Sequence, residues 1–301
     1  LILLDYSQVA LSNIMQNLTS PESSGLEEDL VKHMILNSIR SYLVKYGLQY
    51  GKLIICCDSK SYWRKDVFPY YKQGRKAARD DSTFDWDKIF KLIHETKSIL
   101  KEHFPYMVLE VPGAEADDII AVLARYGSNQ SEPVLVISGD HDFSQLQKYK
   151  GVNQYAPIQK KEIKITNPKE FLIEHIIQGD KGDGIPNFLS QDDSFVNGIR
   201  QKSIMSKKLV EWVKQTRDEI CTTDEMRKNW DRNQQLVDFD FIPKDVISDI
   251  MKAFDTYSIE DKTKKNIYDY MLAAKMRQLV SYIDDFMVGQ DKKQSIASLF
   301  E

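Results

Sequence analysis

Four short apolar runs constrain this chain more than anything else in it: LILL at 1–4, KLIICC at 52–57, YMVLEV at 106–111 and VLVIS at 134–138. Each is too short for a buried helix and is continuous rather than alternating, which is the pattern of strands covered on both faces. Between them lie segments with apolar residues at helical spacing: LEEDLVKHMILNSIRSYLVKY (26–46), IFKLIHETKSILKEHF (89–104) and EADDIIAVLARY (115–126). Strand and helix in alternation predict an α/β fold, with a mostly parallel central sheet flanked by helices. After about residue 185 the strand signal fades, and 203–215, 244–257 and 265–283 read as helix. The predicted organisation is an α/β domain over 1–185, a helical subdomain over 186–289 and a polar tail over 290–301.

The chain is 42% hydrophobic and 29% charged, an ordinary globular composition. No run approaches the roughly 18 to 20 apolar residues of a membrane span, so no membrane partner is expected. Three cysteines, two of them adjacent in an apolar run, predict reduced core thiols and a cytoplasmic protein. The five histidines show no zinc spacing, so any metal here must rely on oxygen ligands.

Parallel strands place their carboxyl ends on one edge of the sheet, where ligands of open α/β folds bind. The acids of this chain gather at those ends. The first two runs stop at Asp5 and Asp58, and the fourth runs into Asp140 and Asp142. The helix after the third opens with Glu115, Asp117 and Asp118, and GDKGDG adds Asp180 and Asp183. Singly, each has an ordinary reading. First-turn acids complement the helix dipole, and Asp after a strand caps or turns. GDKGDG lacks the frame of a calcium hand. Together, nine like charges in one crevice need protonation, dispersal or cations. Hard divalent ions with oxygen ligands answer that need, and so many carboxylates imply two Mg²⁺ ions, with Mn²⁺ able to substitute. Two ions about 4 Å apart clamp the attacking and leaving oxygens of a phosphodiester displacement.

A net charge of −4 argues against a nucleic-acid partner until its distribution is read. Residues 60–79 carry seven cations against Asp66 alone, +6 in twenty residues, leaving −10 for the remainder. The same stretch holds Tyr62, Trp63, Phe68, Tyr70 and Tyr71. Cations neutralise phosphates and aromatics stack on unpaired bases, so the segment is expected to grip a single strand. The competing reading is an amphipathic segment whose aromatics face a core.

In chain order, Asp5 in LLDYSQ, Asp58 in CCDSKSYWR, EADD at 115–118, SGDHDFSQL at 138–146 and GDKGDGIPN at 179–187 resemble the structure-specific 5′ nucleases, the flap endonucleases and 5′-nuclease domains of DNA polymerases. SYWRKD, YYKQGRKAAR and LVDFDFIP are similar to the family's bacteriophage members, and the likeness runs along nearly the whole chain. It implies a 5′→3′ exonuclease and flap endonuclease with ribonuclease H activity. Such an enzyme would remove Okazaki-fragment RNA primers with Mg²⁺ in the cytoplasm of a phage-infected bacterium. Its substrates would be branched DNA, 5′ flaps and RNA–DNA hybrids; a single-stranded-DNA-binding protein and a sliding clamp would be its partners, and it would act as a monomer. By position, Asp5, Asp58, Asp117, Asp140 and Asp142 would hold the first metal, supported by Glu115 and Asp118. Asp180 and Asp183 would set the second, shared with Asp142. Residues 60–87 would form an arch over the strand. Within it Lys72 and Arg64 would stabilise charge on the scissile phosphate, and Arg75, Lys76 and Arg79 would grip the strand. The chain departs from the family after GIP, where a long insertion replaces the usual Gly-rich turn. There Arg200, Lys202, Lys207 and Lys208 would hold duplex backbone instead, and a helix–hairpin–helix type of subdomain is expected around them.

Two other classes stay open on the sequence. A non-catalytic branched-DNA-binding protein needs only the basic segment and the helices. A small-molecule phosphatase of the Asp-x-Asp kind would need an acid at position 7, where this chain has Ser7. The tail sets Ile296, Leu299 and Phe300 behind a polar linker, a pattern similar to the clamp-binding peptides of replication enzymes.

Overall fold

The computed structural model describes residues 1–19, 25–258 and 262–290. They form two compact units: one comprises the described residues of 1–59, 85–164 and 248–290, the other Lys60–Phe84 and Ile165–Ile247. This division differs from a single boundary at 185. The basic segment groups with 165–247 rather than with the sheet, and the described residues from 248 to 290 return to the sheet unit. Ile296, Leu299 and Phe300 lie outside the described residues.

In the sheet unit, β1 (Ile2–Asp5), β2 (Leu53–Cys57), β3 (Met107–Glu110) and β4 (Val134–Ile137) are the four expected strands. Two more, β5 (Val152–Ala156) and β6 (Lys161–Ile163), complete a sheet ordered β3-β2-β1-β4-β5-β6. All neighbours pair parallel except β5 with β6. Every residue of β1, β2 and β4 is buried, which is why these strands read as unbroken apolar runs. β5 carries Asn153 and Gln154 in place of aliphatics, and β6 is three residues of edge strand with Lys and Glu, so neither shows in the pattern.

The helices Glu28–Tyr50, Trp86–His103 and Ala116–Asn129 form where the spacing predicts them. A further one, Tyr6–Leu18, begins directly at the end of β1. The expected helix over 265–283 breaks after Lys264–Ala273, where Lys275 takes a left-handed backbone at φ 56°. Among the described residues no helix is long and apolar enough to cross a membrane. All three cysteines are buried free thiols.

The second unit is helical. Pro168–Gln178, Ser206–Trp212 and Asp224–Val237 surround a core built from Ile176, Ile177, Ile185, Phe188, Trp212 and Trp230. Phe68 and Tyr71 of the basic segment belong to that core, each 3% exposed, and Tyr62 and Tyr70 pack against it. For Phe68 and Tyr71 this corrects the expectation that the aromatics of the segment stack on bases. The rings of residues 60–84 thus add to a core that the unit's own aliphatics and tryptophans build.

Candidate active site

β1 lies between β2 and β4, and the strand order turns back on itself there, so the switch point of the sheet sits at the carboxyl ends of β1 and β4. Asp5 terminates β1 at that point and caps the following helix, its Oδ1 accepting from the Gln8 amide at 3.1 Å. The Ser138 hydroxyl, just past β4, donates to Asp5 Oδ2 at 3.0 Å. Gln8 Oε1 accepts from the Gly139 amide at 2.5 Å. The ends of β1 and β4 are thus tied together by Ser138 and Gln8, which carry no sequence signal because neither is a metal-ligand type.

Asp58 follows β2. Its Oδ1 accepts from the Ala116 amide at 2.9 Å and its Oδ2 from the Ser7 hydroxyl at 2.7 Å. Ser7 therefore orients Asp58 rather than replacing a missing acid. Glu115 and Asp118 form a capping box on the helix Ala116–Asn129, with Asp118 Oδ2 accepting from the Glu115 amide at 2.9 Å. Both are buried, and between them Asp117 is half-buried. Beyond β4, Asp140 is exposed and Asp142 half-buried, and Asp140 Oδ1 accepts from the Asp142 amide at 2.9 Å. Gln154 of β5 fastens this turn, its Nε2 donating to the Ser138 and Asp140 carbonyls at 3.0 and 2.6 Å.

The electrostatics of this edge are those of crowded carboxylates. Burial pushes the Asp5 carboxyl up to about 7, the negative charges of Asp58 and Asp140 add to the rise, and the bonds from Gln8 and Ser138 oppose it. A buried acid pushed upward first by burial and then by its neighbours' charges fits a hard divalent cation, which would relieve both the burial and the repulsion. The acids at this edge offer oxygen donors, the type a hard divalent cation takes.

In the helical unit, GDKGDG forms a tight loop in which Asp180 pairs with Ile185 in an antiparallel bridge. Gly179 sits at φ 67°, and an added Cβ would come within 2.3 Å of the Ile185 carbonyl oxygen, so only glycine fits. Asp180 Oδ1 accepts from the Asp183 amide at 2.9 Å and Oδ2 lies 3.5 Å from His175 Nε2. Burial raises the Asp180 carboxyl, but the His175 contact and the loop amides outweigh it and hold the group below the ordinary carboxylate range. Asp183 is the partner of the basic segment: Lys72 Nζ lies 3.5 Å from it, Arg75 pairs with it, and the Tyr71 hydroxyl donates to it at 2.8 Å. Lys72 takes φ 57°, a conformation that costs a non-glycine residue about 1 kcal/mol or more, and its amide donates to the Asp183 carbonyl at 2.8 Å. His175 and Tyr71 carried no sequence signal for this role.

The other expected cations divide by exposure. Lys76, Arg200, Lys202, Lys207 and Lys208 are exposed or half-buried, as is Arg79. Arg64 is 3% exposed, and its Nε donates to the Leu236 carbonyl at 2.8 Å. In this structure Arg64 holds the base of the segment to the helix Asp224–Val237, an anchoring place rather than the phosphate-facing one expected for it.

Comparison with known proteins agrees with this geometry. Residues 2–175 match the family model of the 5′-3′ exonuclease N-terminal resolvase-like domain, and residues 168–286 match that of the T4 RNase H C-terminal region. The chain is 35% identical over 294 residues to the ribonuclease H of Enterobacteria phage T4, covering 94% of this chain and 95% of that protein. It is 32% identical over 151 residues to the flap endonuclease Xni of Shewanella pealeana, 48% of this chain and 56% of the relative. A structure of the phage T5 flap endonuclease with DNA and metal ions superposes with a TM-score of 0.58 at 17% identity, over 85% of this chain and 99% of that one.

Proposed function

The chain belongs to the 5′-3′ exonuclease family and is a structure-specific 5′ nuclease, and from that premise we propose that it cuts 5′ flaps and RNA–DNA hybrids with two divalent cations, removing RNA primers during DNA replication. The observation that carries the cation reading is the buried Asp5, held near neutral pH by burial and by Asp58 and Asp140 at the switch point of the sheet. Asp5, Asp58, Asp117, Asp140 and Asp142 are the residues we assign to the first ion, and Asp180 and Asp183 to the second; Glu115 and Asp118 support the first set by fixing the helix that carries Asp117. Bound there, the ions would activate water and stabilise charge on the scissile phosphate.

The chain's own residues do the rest. Lys72 and Arg75, paired with Asp183 here, are positioned to exchange that carboxylate for a backbone phosphate of the 5′ strand. Lys76 and Arg79 would extend that grip along the strand, and Arg200, Lys202, Lys207 and Lys208 would hold duplex backbone through their charge. Arg64 supports the segment from within. A single-stranded-DNA-binding protein and a sliding clamp are the proposed partners, the latter through Ile296, Leu299 and Phe300. Deleting residues 294–301 should then remove stimulation by a clamp and leave unstimulated cleavage unchanged.

The test is cleavage of a 5′-labelled flap duplex with Mg²⁺ and with EDTA. Cleavage that needs Mg²⁺ supports the reading. Binding without any cleavage would favour the branched-DNA-binding alternative.

A further inference from the structure

The helix Asp224–Val237, DEMRKNWDRNQQLV, reads as a surface helix, yet it buries Asn229, Arg232 and Asn233 at helical spacing beside Leu236. A buried guanidinium costs several kcal/mol of desolvation unless it is fully paired, and apolar residues of similar volume do as well or better for stability. Its presence points to a geometric task.

Its bonds show what that task is. Arg232 Nη2 donates to the Pro186 carbonyl at 2.9 Å and the Asn187 carbonyl at 3.4 Å. Nη1 reaches Asp192 Oδ1 at 2.5 Å and the Ser190 carbonyl at 3.4 Å, and Nε donates to Asn233 Oδ1 at 2.9 Å. Asn233 Nδ2 donates to the Pro186 and Ile176 carbonyls at 2.9 and 2.8 Å, and Asn229 Nδ2 to the Ser190 carbonyl at 3.1 Å. The helix therefore holds the loop 186–192 by its backbone.

Two pieces of the proposed site meet on that loop, and a third meets the helix that holds it. On one side, an added Cβ at Gly179 would come within 2.5 Å of the Pro186 carbonyl oxygen, so the carbonyl gripped by Arg232 and Asn233 also seats the loop of Asp180 and Asp183. On another, the Lys202 amide donates to Ser190 Oγ at 3.0 Å and Asn187 Nδ2 to the Lys202 carbonyl at 2.8 Å, which fixes the start of the basic stretch. On the third, the Arg232 guanidinium lies 5.7 Å from the centre of the Phe68 ring, and Arg64 is bonded to Leu236 one helical turn on.

We propose that Arg232 is a positioning residue that ties the duplex-binding stretch to the base of the strand-binding segment, so that duplex contact is converted into correct placement of the 5′ strand. The proposal rests on the nuclease reading above. Its substrate consequence is specific: Arg232 acts on flap-bearing duplexes and not on unpaired strands, because only the former engage both pieces.

The experiment compares turnover of a 5′-labelled flap duplex with turnover of the same labelled strand alone, both with Mg²⁺. For Arg232→Met, kcat on the flap duplex should fall about tenfold with KM changed less than about twofold, while turnover of the single strand stays within about twofold of wild type. Arg232→Lys keeps the charge but not the planar fork and should not restore the preference. A purely structural role would lower the folded fraction and depress both substrates by one factor; an unchanged ratio in a folded Arg232→Met protein overturns the proposal. Should Arg232→Met fail to fold, Asp192→Asn, which leaves the backbone bonds in place, should lower the same ratio about threefold, and an unchanged ratio there overturns it equally. Wild-type protein that cuts neither substrate with Mg²⁺ would instead refute the nuclease reading itself.

Discussion

Asp5→Asn should make the metal-free protein more stable at neutral pH while abolishing its activity. The Asp5 carboxyl rises from an ordinary 3.8 to about 7 on folding, through burial first and then the charges of Asp58 and Asp140. An acid whose folded value lies above its unfolded one binds more protons in the native state, so stability falls as pH climbs from about 4 to about 7. A rise of that size corresponds to a loss on the order of 4 kcal/mol, complete above pH 7 and absent below pH 4. Asparagine is neutral at every pH and preserves the local bonds. Its Oδ1 still accepts from Gln8, and the Ser138 hydroxyl, 3.2 Å from Gln8 Oε1, can turn to donate there and accept from the new amide. Urea unfolding in EDTA from pH 4.5 to 8 measures the difference. The two proteins should match at the acid end, and the variant should lead by a few kcal/mol at pH 8. Mn²⁺ should then stabilise wild type and barely move the variant. A flat difference across pH, or a variant weaker than wild type at pH 8 in EDTA, would refute the argument that Asp5 is a strained carboxyl awaiting a cation.

Three further outcomes follow from the same geometry. Lys72→Ala should lower kcat on a flap duplex about 10- to 100-fold with a smaller change in Kd, measured by single turnover and by fluorescence anisotropy. Asp118→Ala opens the capping box at the start of the helix Ala116–Asn129 and should cost about 1–2 kcal/mol in urea unfolding, whereas Asp118→Asn keeps the acceptor and most of the stability. Asp180 is held below the ordinary range by His175 and the loop amides, so its ionised form contributes stability above about pH 4 that is lost as pH drops further; His175→Gln should move the acid-unfolding midpoint upward.

The sheet and its acidic edge are legible in the sequence because both depend on local pattern. Buried parallel strands must be apolar throughout, and parallel strands must share one carboxyl edge, so LILL, KLIICC and VLVIS announce both the strands and the place where Asp5, Asp58 and Asp140 arrive. What lies hidden depends on contacts between distant segments. Trp63, Phe68 and Tyr71 look like base-stacking rings until the core that claims Phe68 and Tyr71 is known, and that core comes from a stretch that begins about a hundred residues later. β5 escapes the apolar pattern because Gln154 serves the Asp140 turn instead of the apolar interior.

The residues that carry no sequence signal share one property: each is a polar group that bonds backbone or another side chain near a proposed site. Ser7 aims Asp58, Ser138 and Gln8 join the ends of β1 and β4, Gln154 fixes the turn of Asp140, and Arg232 with Asn233 fixes Pro186. Ligand types can be recognised from chemistry alone, because only a few side chains bind hard cations. Orienting residues cannot, because any donor of suitable length at the right position serves, and position is a property of the fold. The cluster at β1 and β4 shows why they matter. A carboxyl as strained as Asp5 would escape its neighbours by rotating away if nothing held it, and the bonds from Gln8 and Ser138 oppose that movement. Removing Ser138 while keeping every acid is therefore a sharper probe of the site than removing an acid. Ser138→Ala should leave the ligand set complete, raise the Asp5 pKa further by deleting a bond that lowers it, and weaken Mn²⁺ binding several-fold by isothermal titration. Unaltered Mn²⁺ affinity in Ser138→Ala would mean that the acids alone determine the site.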